Sequence, residues 1–437
     1  MKCWLATALF LAGCAGTSPS ISTSATTPPV AQPSRSEVEA AQASFPQQNA
    51  LWADPAQHDF SDNPGLLKRI LSSPHGYYRF INRRFTQAVC RCFRDLLPAM
   101  PTVNLHGDAH VEQYAITSRT RGLVDFDAAT TGPPILDLVR FGVSIYLTAH
   151  HQGWTPMAPS LYESFLDGYQ DALADPSARP EDPALVAQLR AGNPVDPVAF
   201  LRESTALMMP LEPELEARVR EALAISFARI RRSSDFGEEA DFFAIKKLGG
   251  FGLGIGSALS EKYLIRVEGP TVRDEDDVIF EAKELQSLGP GGCTDGAERV
   301  DPVRVLAVRS RFEPVPERYL GYARIDDRSF WMHDWQPSYL EMDAEGDLGD
   351  PEDFAEIVYD VGFQLGRGHP EKIASPRDAE LRDELRSMLE GRRGRLHHEV
   401  AVLHQQVIEA WQSFVQRVAK LPSSSAAAGE SNAALAP

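Results

Sequence analysis

Residues 105–141 read LHGDAHVEQYAITSRTRGLVDFDAATTGPPILDLVRF, and they set His106, Asp108, His110, Glu112, Asp125 and Asp127 in one short region. Burying such groups without partners is costly. The stretch is therefore either a solvated loop or a site that holds cations. The apolar segments between the charges favour a site. Leu123-Val124 runs into Asp125-Phe126-Asp127 as a short strand that ends in acids. Gly132-Pro133-Pro134 then breaks the chain, and 135–147 reads as an apolar helix.

Working outward, the pattern on both sides is mainly helical. Residues 64–71 suggest a short helix stopped by Pro74, and 77–97 a longer one. Apolar residues at three- and four-residue spacing mark helices over 136–149, 159–174 and 212–232. Residues 36–235 thus read as helical with one short β element. The character changes near Asp241. Strands are expected at 242–248, 258–267 and 278–285, and a hairpin joins 319–325 to 329–335 across Asp326-Asp327-Arg328. The segment 303–308 fits either a helix or a strand, and helices return at 351–369 and 376–421.

The 437 residues suffice for two domains or one large two-lobed body. A formal net charge of −18 argues against a nucleic-acid partner, because phosphate binding needs a basic surface. At the N-terminus a short apolar run over 4–12 leads into Leu11-Ala12-Gly13-Cys14. That pattern predicts a signal peptide at 1–13, too short to span a membrane. It resembles the lipobox of bacterial lipoproteins, which implies lipidation of Cys14 and, with Ala15 following, an outer-membrane address facing the periplasm. Residues 14–35 and 422–437 read as a disordered tether and tail. Of the other cysteines, Cys90, Cys92 and Cys293 read as incidental core or surface thiols.

A second stretch bears on chemistry. Gly250, Gly252, Gly254 and Gly256, followed by Ser257, fall at every second position, so an extended chain would have one face without side chains. A phosphate cradled by N–H groups fits such a face, and so does a hairpin packed against another element. Lys283 lies within the apolar strand at 278–285, where a buried ammonium needs an anion. A strand-edge lysine facing water is the alternative.

His106-Gly107-Asp108 with Gln113 five residues on, followed by Asp125-Phe126-Asp127, resembles the catalytic core of aminoglycoside phosphotransferases and related kinase-like enzymes. The closer likeness is to the bacterial domain-of-unknown-function 2252 family over roughly 60–415. It rests on Ser73-Pro74, Tyr78-Arg79, Gly-Asp-x-His at 107–110, Gly132-Pro133, Asp-Leu-x-Arg at 137–140, Lys283-Glu284 and Gly362, Leu365 and His369. The resemblance implies a kinase-like α+β fold. Asp108 would be the base, flanked by His106 and His110, and Asp125 the main Mg²⁺ ligand, supported by Asp127 and Gln113. Lys283 and the glycine loop would clamp the phosphates of ATP or another donor, with Arg79 and His369 nearby. Gln113 stands where those enzymes have Asn, and Trp331-Met332-His333-Asp334 where the family has a Tyr-x-Arg-Gln-like motif.

In ordinary kinases the glycine loop and lysine precede the catalytic loop, whereas here they follow it. The expected organisation is therefore permuted: a helical lobe at 36–235, a mainly β lobe at 236–340 and returning helices at 341–421. The expected substrate is a small molecule or surface polymer bearing a hydroxyl, and the membrane is met only through the lipid. Two alternatives stay open. One is a nucleotide- or ligand-binding lipoprotein without turnover. The other is a metal-dependent hydrolase in which His106, Asp108 and His110 face one way in an extended chain and join Asp125.

Overall fold

The computed structural model describes residues 49–60, 64–233, 242–252, 260–287, 289, 292–295, 300–312, 317–346 and 348–421. The expected signal peptide, Cys14, tether and tail lie outside these residues. So do Gly254, Gly256 and Ser257.

The helices are α1 (Pro64–Ser72), α2 (Pro74–Phe80), α3 (Asn82–Cys92), α4 (Ile135–His151), α5 (Ala158–Ala174), α6 (Ala184–Gly192), α7 (Pro197–Ala206) and α8 (Pro213–Ser233). After a run of strands come α9 (Pro302–Arg309), α10 (Pro351–Gly368), α11 (Asp378–Glu390) and α12 (Arg393–Val418). Mixed helix and sheet in separate segments make this an α+β protein.

Helix α4 is the centre of the core. Pro133-Pro134 ends the preceding strand and leads into its first turn. Every residue from Ile135 to Ala149 is buried, apolar side chains on all sides included. Helices α5 and α10 form the closest packing. A side chain at Gly168 would meet the Tyr359 carbonyl at 2.1 Å, and one at Gly362 the Phe165 carbonyl at 2.0 Å. Only glycine lets these backbones touch. Asp350 caps α10 in a capping box with Asp353, ahead of Pro351.

Residues 245–335 carry a five-stranded antiparallel sheet of order β5-β6-β7-β9-β8. The strands are β5 (Ile245–Gly250), β6 (Lys262–Val267), β7 (Val278–Glu284), β8 (Leu320–Ile325) and β9 (Arg328–Trp335). One face buries Phe280, Phe330 and Ile265 under Val219, Leu223, Phe227 and Ile230 of α8. Alternation then places Glu281 and Lys283 on the opposite face. There Lys283 pairs in register with Lys262 and Trp331, and Glu281 with His333.

Several expectations need correction. Residues 36–235 hold not one β element but β1 (Val103–Leu105), β2 (Tyr114–Ile116), β3 (Arg121–Leu123) and β4 (Thr130–Gly132). β1 pairs with β4, while β2 lies between β3 and β10 (Leu340–Glu341). Three-residue strands are too short to display a period. The long helix expected at 77–97 is two, α2 and α3, separated by Ile81, and the helix at 376–421 breaks before Arg393. The segment 303–308 is helical, within α9. Helices α6 and α7 were not anticipated. Within the basic run at Arg392, Arg393 and Arg395, Arg393 grips Glu163, Asp167 and Gln170 of α5.

The cysteines also differ from expectation. Cys90 and Cys293 form a disulfide across 203 positions, and Cys92 alone stays free among the described residues. Pairing at such separation follows from tertiary contact and cannot be read from spacing. Among the described residues, no helix is long and apolar enough to cross a membrane.

Candidate functional site

The loop after β1 is built around Gly107. Its φ is +79°, and a Cβ there would lie 2.1 Å from the Ala128 carbonyl oxygen. The turn ends the extended geometry in which His106, Asp108 and His110 would share a face. His106 is fully buried, with its Nε2 2.8 Å from the Val124 carbonyl and its ring against Phe126. His110 is also buried, and its Nε2 has no partner among the described residues. Burial, then the charges of Arg79 and Arg140, keep His110 neutral far below the usual imidazole range. Neither imidazole is open to a substrate.

Helix α4 holds this loop from beneath. Asp137 Oδ2 accepts from His106 N at 2.7 Å and Asp137 Oδ1 from Gly107 N at 2.9 Å. Arg140 Nε donates to Asp108 Oδ1 at 2.6 Å. Ser144 Oγ accepts from Val111 N at 3.2 Å, and Thr148 Oγ1 meets His75 Nε2 at 3.3 Å. Positions 137, 140, 144 and 148 recur at helical spacing, so the contacts run along one side of α4. Arg140 is itself buried and lies over the Tyr78 ring at 4.3 Å. Burial raises the Asp108 carboxyl above its ordinary value, and Arg140 works against that shift.

Beyond β3 the chain turns sharply. Asp125 sits in the left-handed region at φ 58° and ψ 63°, uncommon for a residue with a Cβ. Strain of this kind clusters at functional sites. The turn presents both acids to the sheet. Lys283 Nζ donates to Asp125 Oδ1 at 2.6 Å and also pairs with Asp127 Oδ2. Trp331 Nε1 donates to Asp127 Oδ1 at 2.5 Å, and the indole stacks on His333. Gln113 Nε2 reaches Asp125 Oδ2 only at 3.4 Å.

The lysine side chain is 7% exposed, while those of Asp125 and Asp127 keep 36% and 31% of their surface open. The acids thus line an accessible recess with the lysine at its back. Burial opposes charge on Asp125, yet Lys283 holds its carboxyl far below the carboxylate range. Asp127 moves the other way, pushed up by burial and by Asp125. Burial also opposes the Lys283 charge, but Asp125, Asp127 and Glu281 keep it firmly protonated.

The remaining candidates fall at different depths. Arg79 pairs with Glu112 at 2.8 Å, and its charge reaches Asp108. The resemblance places His369 near the site. It is fully buried behind the loop, between Asp137 at 3.2 Å and the Tyr169 hydroxyl at 2.9 Å. At Gly250 the backbone is already used, since its N–H donates to Met209 O at 2.8 Å. A Cβ at Gly249 would come 2.7 Å from Met208 Cβ, so Met208-Met209 of the chain itself fills the space beside these glycines. Gly252 meets only the tip of Met209, at 3.5 Å. Among the described residues, no group of three or more His, Cys, Asp or Glu side chains is arranged to hold a metal ion.

Three contributors were not foreseen as site residues. Arg140 carried a signal, an arginine inside an apolar helix, which demands an anion. Trp331 and Arg304, whose Nη2 lies 3.3 Å from the Asp127 carbonyl, carried none.

Fold and site together define an α+β protein with a recess where a buried strand lysine meets two loop carboxylates. The chain belongs to the family described as an uncharacterized protein conserved in bacteria (DUF2252), whose model matches residues 64–198 and 194–417. No curated protein and no solved structure gives a significant match.

Proposed function

We propose that the protein is a kinase-like phosphotransferase with permuted lobes, acting on a hydroxyl of a small molecule or surface polymer. One observation carries the reading. Lys283 of the sheet and Asp125 of the loop, 158 positions apart, form an ion pair, and the Asp125 charge reaches Asp108. A strand lysine, a loop carboxylate and a second anchored carboxylate are the parts that phosphoryl transfer uses for phosphate, metal and acceptor hydroxyl.

In this reading the Lys283 ammonium leaves one carboxylate to bind the donor's phosphate oxygens. Asp108, oriented by Arg140, accepts the proton of the acceptor hydroxyl. The hydroxyl oxygen bonds to phosphorus as the bond to the departing nucleoside diphosphate breaks. Mg²⁺ keeps several waters and needs one or two carboxylates besides phosphate oxygens. Asp125 Oδ2, held by the long contact to Gln113 Nε2, fits that need, and the Gln113 amide oxygen would join it only once the amide turned over. Asp127 fits it less well, because Trp331 and Lys283 engage both its oxygens. Bound there, the cation would neutralise charge on the transferring phosphoryl.

The second reading, a binding protein without turnover, draws on that commitment of Asp127 and on the occupied Gly250 N–H. The disulfide suits it too, since such bonds persist in oxidising compartments. That matches the expected envelope lipoprotein, where ATP is scarce. No comparable observation favours a metal hydrolase.

A thermal-shift screen of the purified protein with ATP, Mg²⁺ and Mn²⁺ tests the proposal. Metal-dependent stabilisation by ATP, lost in Asp125→Ala and Lys283→Ala, supports it. Turnover abolished in Asp108→Ala separates transfer from binding alone. Tight zinc with no response to nucleotide sinks both readings.

A further inference from the structure

Arg304 projects from the first turn of α9 beside the Asp125–Asp127–Lys283 group. Asp301 caps that turn through Val303 N at 2.9 Å and so is committed to the backbone. Among the described residues, the one hydrogen bond of the Arg304 guanidinium is from Nη2 to the Asp127 carbonyl, at 3.3 Å. Its Nε and Nη1 are buried and find no acceptor among the described residues. Burial lowers the guanidinium below its ordinary pKa, though Asp127 and Asp301 oppose this.

A buried charged donor without an acceptor destabilises a fold, and such orphans in native structures call for an explanation. Surface placement does not explain this one, nor does a carboxylate partner. Its location offers an explanation. The Asp127 carboxylate takes Lys283 on one side, and the Asp127 carbonyl takes Arg304 on the other. With two carboxylates against two cations, the group is formally neutral. A divalent cation would leave it positive and ready for an anion.

From this geometry we infer that Arg304 is a second phosphate-binding cation of the recess, whose Nε and Nη1 donors, on opposite sides of the guanidinium, each take an oxygen of the donor's polyphosphate. The inference rests on the proposed function and deepens it, since it names a group that touches the donor. A guanidinium offers several donors in fixed directions, whereas an ammonium acts as a point charge. Binding thus requires the side chain to change rotamer so that these donors reach the recess. The unliganded protein therefore holds a destabilising arginine that ligand relieves.

The test is isothermal titration of the full protein with inorganic pyrophosphate and with ATP, each with Mg²⁺, together with melting of the unliganded variants. Arg304→Met keeps the length and removes the charge. It should raise the unliganded melting temperature by about 1–3 °C and weaken both ligands by about 10–100-fold. Arg304→Lys should fail to restore affinity. Unchanged affinity in Arg304→Met overturns the inference, whatever happens to its melting temperature. Lys283→Met in the same titrations separates the two levels. Affinity that depends on Lys283 but not on Arg304 removes this inference and leaves the proposed function standing. Dependence on Arg304 but not on Lys283 overturns the proposed function, and with it the reading of Arg304 as a second cation beside Lys283. A wild-type protein that binds neither probe overturns both.

Discussion

Asp137→Ala should be among the most damaging single substitutions in the chain. The carboxylate is buried and takes three donors: His106 N at 2.7 Å, Gly107 N at 2.9 Å and His369 Nε2 at 3.2 Å. Burial opposes its charge, but His369, His106 and the Gly107 amide together hold its carboxyl below the ordinary value. Each buried N–H stripped of its acceptor costs roughly 1–3 kcal/mol. Breaking a buried charged network costs about 3–5 kcal/mol, and we expect Asp137→Ala to fall in that range. Asp137→Asn keeps one carbonyl acceptor but turns an NH₂ toward another donor, so about 2 kcal/mol is expected. Against a total stability of about 5–15 kcal/mol, the alanine variant should lose a large share. Urea unfolding followed by circular dichroism measures it, as a lower midpoint at unchanged slope. The control is Asp383→Ala, whose side chain is 79% exposed and which should change stability by no more than about 0.5 kcal/mol. If Asp137→Ala costs no more than this control, the loop does not depend on α4.

Two further outcomes follow from the structure. Glu281 is opposed by burial but held at about 2 by His333, Lys262 and Lys283. A depressed acid stabilises the fold above its unfolded value, about 4.3, and that contribution fades as pH falls toward 2. Glu281→Gln should therefore lower the melting temperature at pH 7, with the gap closing below about pH 4; a constant gap from pH 7 to 3 would refute the assignment. Cys90→Ser with Cys293→Ser should cost about 2–4 kcal/mol, and thiol titration of the denatured wild type should rise by two groups on reduction, with no rise excluding the bond.

Much of the recess was legible because charge in an apolar setting needs an explanation. Asp125 and Asp127 close an apolar strand, and Lys283 interrupts another; each needed a partner, and they partner one another. The long helices announced themselves by period, and α4, α5 and α8 start within one residue of where that period places them. The misses have physical reasons as well. The three-residue strands carry no alternation, and Ile81 splits α2 from α3 with no proline or glycine to mark it. The glycines at 249 and 250 do signal a close approach, but only the fold shows that Met208 and Met209 make it. His106 and His110 looked like chemistry by residue type, and burial makes them part of the support.

The polar side of α4 has a dynamic consequence. Residues 106–111 belong to a connection between strands, and connections usually exchange their amide hydrogens quickly. Here the amides of His106, Gly107 and Val111 end on side chains of a helix buried through Ala149. Opening the loop means withdrawing it from Asp137 and Ser144, which are themselves locked in the core. These amides should thus exchange with the slowest cooperative unit of the protein rather than with its surface. The position of Asp108 would then be as durable as the core itself.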